Sequence, residues 1–190
     1  MRTKDEAKRH AIREAAIAAV VAGGLGGASI AEIAKRAGLS QGTIYLYFSG
    51  KDELFDAVFL DVKREIHARL MAAAHAGGSA KEAIRGMWLA LFDHASERPA
   101  DFAFAEHLSA ARMLDGRASP EIDAMAQEVA QIIEQAVLSG TLVDLPTQTL
   151  SALLSGPALQ MARRSVVRKE PPSKDELDLA FEAIWRGIAR

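Results

Sequence analysis

Apolar side chains recur every three to four residues along nearly the whole of this sequence, and no stretch alternates with period two for long. A helix buries one face at that spacing, whereas a half-buried strand needs strict alternation, so the chain is restricted to packed helices. Helix starts are marked by a Ser or Thr followed three residues later by an acid, the two able to satisfy each other's free backbone donors. Thr3 with Glu6 opens a first helix that runs to the Gly23-Gly24 break, and Ser29 with Glu32 opens a second that stops at Gly38. Ser40 caps a short third, Ser49 with Asp52 opens a long fourth reaching Gly77-Gly78, and Ser79 with Glu82 opens a fifth. Pro99 suits the first turn of a sixth, and Ser119-Pro120 starts a seventh ending near Gly140. An eighth begins around Pro146, is expected to carry Arg163, Arg164 and Arg168 in its last turn, and is stopped by Pro171-Pro172. Ser173 with Glu176 caps the ninth. The prediction is an all-α fold of about nine helices, and with aromatics at 6% alanine supplies much of the apolar contact.

Several functions are disfavoured at once. There is no cysteine, hence no disulfide, thiolate metal site or cysteine nucleophile. The N-terminus, MRTKDEAKRH, lacks the apolar core of a signal peptide, and the longest apolar run, Ala15 to Ala22, is too short to span a bilayer. A soluble cytoplasmic protein is expected, with no membrane partner. No Ser-His-Asp order, Gly-rich phosphate loop or HExxH is present, so no catalytic residue and no cofactor is assigned and the chain is not expected to be an enzyme. His67 and His75 share a helix face, but eight residues of helix separate them by about 12 Å, too far to share one ion. No metal site is predicted.

Charge divides the chain. Residues 1–51 hold eight Lys or Arg against four acids, a net of +4, while the remainder holds fifteen against twenty-one, a net of −6. A basic head on an acidic body is the asymmetry of a small module that meets a polyanion. Within that head, residues 29–51 read SIAEIAKRAGLSQGTIYLYFSGK. Two short capped helices flank Ala37-Gly38-Leu39, with glycine where a left-handed turn is cheap. Ile30, Ile33 and Ala34 form the buried stripe of the first, and Ile44 and Phe48, four apart, must face the same core from the second.

At about 100° per residue, the face opposite Ile44 and Phe48 carries Gly42, Thr43, Leu46 and Tyr47, with Gln41 and Tyr45 on its flank. Facing a DNA groove, each has a use. Gln pairs with a base edge, Leu or Thr touches a thymine methyl, Tyr and Thr hydroxyls bond phosphates, and Gly permits close approach. Lys51 adds a cation at the start of the fourth helix, where the helix dipole itself prefers acids. The pattern is a helix-turn-helix whose second helix lies in the major groove; the competing reading is a purely structural helical hairpin.

The residues Ile33-Ala34, Ala37-Gly38-Leu39-Ser40, Gly42-Thr43-Ile44-Tyr45, Tyr47-Phe48, Lys51 and Leu54 resemble the tetracycline-repressor-like (TetR/AcrR) transcription regulators over about residues 3–59. The resemblance implies a three-helix DNA-binding domain over residues 1–50 and a helical ligand-binding and dimerisation domain over 51–190. It carries the family's DNA-contact positions to Gln41, Gly42, Thr43, Tyr45, Leu46, Tyr47 and Lys51. Ala31 stands where some relatives carry a base-reading Arg, and Leu46 where an aromatic is frequent, so the operator sequence stays open.

By the same resemblance, the helices carrying Met71, Met87, Trp88, Phe92, Phe102, Phe104, His107, Met113 and Met125 would surround a small-molecule cavity. Ordinary core packing is the competing reading of each. Leu177, Phe181, Ile184, Trp185 and Ile188 make a broad apolar stripe on the ninth helix, and the eighth offers the small residues Ala152, Ser155, Gly156 and Ala158. A wide stripe beside small residues suits a four-helix dimer interface, with at least one of the pairs Phe181/Trp185 and Ile184/Ile188 buried only on dimerisation. The expected function is a homodimeric repressor released from a palindromic operator in double-stranded DNA by a small-molecule effector. The rival class is a helical ligand carrier or enzyme with a vestigial N-terminal domain.

Overall fold

The computed structural model describes residues 4–115 and 119–190, with side chains described over 5–112 and 119–190. The Thr3 cap and the Met113 side chain lie outside those described. Among the described residues there are nine helices and one isolated β-bridge. The helices are α1 (Lys4–Gly27), α2 (Ile30–Ala37), α3 (Gln41–Tyr45), α4 (Lys51–Ala76), α5 (Ala80–Glu97), α6 (Pro99–Asp115), α7 (Pro120–Leu138), α8 (Thr147–Arg168) and α9 (Lys174–Ile188).

The serine caps act where the sequence puts them, but Glu32 pairs with Arg36 instead of reaching back to Ser29. Ser29, Ser40, Ser79 and Ser173 each accept the backbone N–H three residues on, and Ser173 and Glu176 close a full capping box. At the start of α4 the acid that reaches back is Glu53 rather than Asp52: it accepts from both the N–H and the hydroxyl of Ser49. Those two bonds hold the Glu53 carboxyl below its ordinary value. The expected break at Gly24 is present, with φ 66°, but helical turns resume as far as Gly27.

The described residues cluster into two compact units. The first takes the chain up to Lys63 together with α6 from Ala100. Packing thus carries it past residue 50, because Leu54, Phe55, Val58, Phe59 and Val62 are buried along the first half of α4. Phe55 meets Phe104 of α6 edge-on at 6.2 Å. Arg13 of α1 donates to Asp101 in the first turn of α6 at 2.8 Å, and Asp101 is 2% exposed. A carboxylate so buried stands on that charge-assisted bond and on the positive end of its own helix.

The second unit holds Arg64–Pro99 and the chain from α7 onward. Its centre is a run of aromatics: Trp88 lies 4.8 Å from Phe92 and 5.8 Å from Phe181, and Phe181 stacks on Trp185 at 5.8 Å. The Trp88 indole N–H donates to the Leu154 carbonyl of α8 at 3.2 Å, which satisfies its one polar atom. α4 and α5 approach closely because residue 86 is glycine; a Cβ there would sit 2.9 Å from the Ala73 carbonyl oxygen. The bridge between Leu142 and Ala189 ties the end of α9 to the turn after α7.

Gly38 ends α2 at φ 67°, ψ 31°, and its N–H bonds back to the last turn. A Cβ at this position meets nothing within 4 Å, so Gly38→Ala tests backbone strain alone. Its expected cost is about 1–2 kcal/mol in urea unfolding; an unchanged midpoint would show that the turn tolerates a left-handed alanine.

Candidate nucleic-acid interface

The turn between α2 and α3 fixes the site. Leu39 N–H bonds to the Ala34 carbonyl at 3.0 Å, and Ser40 Oγ accepts Thr43 N–H at 3.1 Å, so the chain turns sharply and restarts as helix within three residues. α3 has five residues, yet Tyr47 and Phe48 N–H both bond to the Ile44 carbonyl, prolonging a helical turn beyond Tyr45. Ile44 is 0% and Phe48 8% exposed, which anchors one side of this element in the core.

The opposite side faces outward as the wheel predicts. Gln41 and Gly42 are exposed, Tyr45 is 54% exposed, and Leu46, at 83%, is the most exposed large apolar side chain among the described residues. Thr43 and Tyr47 are half-buried, and Ala31 is exposed on α2. A leucine so exposed, between two tyrosines, gains nothing from this chain's own packing.

Two of the expected contact residues are held by partners that sequence reading missed. The Tyr47 hydroxyl donates to the Asp5 carboxylate of α1, and the Arg9 guanidinium lies over the Tyr47 ring at 5.0 Å. The bond to Asp5 holds the Tyr47 hydroxyl above its ordinary pKa. Arg9 and Asp5 pair at 3.6 Å, an i,i+4 spacing that was the available signal. The Lys51 ammonium donates to the Leu25 carbonyl at 2.7 Å and lies 5.5 Å from the Phe55 ring centre. Leu25 lies in the last turn of α1, where carbonyls have no intrahelical partner, and nothing in the sequence near Lys51 points to it.

The remaining expected residues are divided. Of those assigned to an effector cavity, Met87, Trp88 and Phe92 are buried in the second unit, where Met71 and Met125 are half-buried. Phe102 and Phe104 are buried in the first unit, and His107 there is exposed. Of those assigned to a dimer interface, Ala152 and Gly156 are exposed and Ile184 is half-buried. Phe181, Trp185 and Ile188 are already 0%, 7% and 3% exposed in the single chain. The expectation that one of the two α9 pairs is buried only on dimerisation is therefore corrected. The α5 aromatics cover Phe181 and, through it, Trp185.

His67 sits 3.2 Å from Glu128, and no group of three or more His, Cys, Asp or Glu able to hold a metal occurs among the described residues. No helix of the described residues is long and apolar enough to cross a membrane.

Known proteins share this arrangement. Residues 12–58 match the family described as bacterial regulatory proteins, tetR family, and residues 80–189 match the tetracyclin repressor-like C-terminal domain. The HTH-type transcriptional regulator SrpR of Pseudomonas putida is 25% identical over 152 residues, 80% of this chain and 71% of that protein. The uncharacterized HTH-type transcriptional regulator YvdT of Bacillus subtilis is 49% identical over 51 residues, 27% of this chain and 26% of that protein. The crystal structure of a TetR family transcription regulator from Marinobacter aquaeolei VT8 superposes with a TM-score of 0.88 at 28% identity, covering 100% of this chain and 99% of that one. With the helix-turn-helix and its outward polar-aromatic face, these matches place the chain in the TetR family, as a DNA-binding transcription regulator.

Proposed function

We propose that the protein is a homodimeric, non-enzymatic repressor acting in the cytoplasm, released from a palindromic operator by a small-molecule effector. Residues 1–50 read DNA and residues 51–190 sense and dimerise. The observation that carries the reading is the face of α3 that Ile44 and Phe48 turn outward, with Gln41, Gly42, Tyr45 and Leu46 exposed. Gln41 and Leu46 read base edges and methyl groups. Thr43, Tyr45, Tyr47 and Lys51 hold phosphates, and Gly42 lets the helix lie close. Tyr47 exchanges its Asp5 carboxylate for a phosphate oxygen, and Lys51 keeps two ammonium donors beyond the one given to Leu25.

The effector lies in the second unit among Met71, Met87, Trp88, Phe92 and Met125, where methionine adapts to apolar ligands. Phe104, packed on Phe55, belongs to the core of the first unit. α4 is one continuous helix whose first half belongs to the reading unit and whose second half carries Met71. Release requires the effector to favour one of two arrangements of the reading heads, since equal affinity for both shifts nothing.

Titration of labelled duplexes at several salt concentrations tests the reading surface. Lys51→Ala is expected to weaken binding to every duplex and to lower the salt slope by about one unit, as loss of one phosphate contact requires. Gln41→Ala is expected to keep the slope and relax base preference at one position in each half-site. Unchanged affinity in both Lys51→Ala and Tyr47→Ala would remove α3 and Lys51 from the interface.

A further inference from the structure

The first unit contains a cleft of about 310 Å³ whose apolar walls are Leu25, Phe55, Leu108 and Ala111. That volume is at the lower end of small-molecule sites. Lys51 and Arg112 also line it. Arg112 gives an Nη2 donor to Asp56 and lies over the Phe59 ring at 4.5 Å, but its Nε–H is buried with no hydrogen-bond partner. Lys51 spends one donor on the Leu25 carbonyl, and no carboxylate pairs with it among the described residues. Lys51 thus has donors to spare, next to the Arg112 charge, one aromatic wall and three aliphatic ones. Gly26, Asp52 and Asp56 complete the lining, and the two carboxylates disfavour a polyanion such as phosphate more than a monoanion.

We propose that this cleft binds a small aromatic monocarboxylate and is a second effector site, built into the reading unit itself. The carboxylate accepts from the Lys51 ammonium beside the positive charge of Arg112, and its ring lies against Phe55 and Leu108. Because the ligand holds Lys51, it withdraws that cation from the DNA backbone; this step rests on the proposed role of Lys51 at a phosphate. The site is separate from the methionine-rich set of the second unit.

The test uses the full chain, with benzoate as probe and benzyl alcohol as its neutral counterpart, followed by nuclear magnetic resonance. Benzoate is expected to give saturable shifts at Lys51, Leu108 and Ala111, with benzyl alcohol at least tenfold weaker. Ala111→Trp, which fills the cleft, and Arg112→Gln are each expected to weaken benzoate at least tenfold. Should Ala111→Trp fail to fold by thermal melting, Arg112→Gln carries the comparison. On a duplex of arbitrary sequence, saturating benzoate is expected to lower the salt slope by about one unit in the wild type and not at all in Lys51→Ala. Absence of saturable shifts, equal binding of benzyl alcohol, or full binding by the filled variant overturns the site. Benzoate binding in the cleft with an unchanged slope in a DNA-binding wild type overturns the effector role. A wild type that binds no duplex at any salt overturns the reading surface instead, and the resonance experiment then still decides the cleft.

Discussion

Trp185→Glu is expected to unfold the second unit rather than to separate a pair of protomers. Trp185 stacks on Phe181, which in turn packs on Trp88, so the substitution cuts into the aromatic centre of a single chain. Losing the packing of a buried tryptophan costs about 3–5 kcal/mol. A carboxylate left there without a partner adds its desolvation cost, and the sum is comparable with the roughly 5–15 kcal/mol that holds a domain folded. The chain has two tryptophans, so in the variant emission reports Trp88 alone. It is expected to shift to the red as the indole loses Leu154 and Phe181, with loss of a cooperative thermal transition. A variant that melts cooperatively within a few degrees of wild type would show that α9 can repack around the charge.

Leu179→Glu is expected to do what Trp185→Glu cannot: leave the protomer folded and abolish the dimer. Leu179 is 69% exposed, and the small residues Ala183 and Gly187 follow it on the outer face of α9. α8 presents Leu153 at 44% and Val167 at 76%, with Ala152 and Gly156 exposed between and beside them. Small residues let helices approach, and the exposed aliphatics supply area that no neighbour in the chain covers. We propose that the two protomers of the proposed dimer meet on these faces. One short reading helix makes too few base contacts for useful specificity, so two heads must bind together. Losing the link between them is expected to weaken palindrome binding by about a hundredfold or more. Sedimentation should report a monomer and circular dichroism an unchanged helix content. A Leu179→Glu protein that stays dimeric and binds its palindrome normally would put the interface elsewhere, with Val167→Glu as an independent check on α8.

What could be read from the chain alone was whatever neighbours settle within one or two helical turns. The caps at Ser29, Ser40, Ser79 and Ser173, the left-handed Gly38, and the opposition of Ile44 and Phe48 to Gln41, Tyr45 and Leu46 are all of this kind. Each depends on bonds or angles between residues at most four apart, which spacing determines directly. The partners of buried faces are different. The stripe Phe181, Trp185 and Ile188 announces that one side of α9 is covered, but not whether α5 or a second protomer covers it, because burial has no direction in sequence. Tertiary packing decided for the protomer. It likewise joined the first half of α4 and α6 to the reading unit, and gave Lys51 the carbonyl of Leu25 and Tyr47 the carboxylate of Asp5. Those pairings join residues 26 and 42 positions apart, where local propensity carries no information and only the packed geometry brings donor to acceptor.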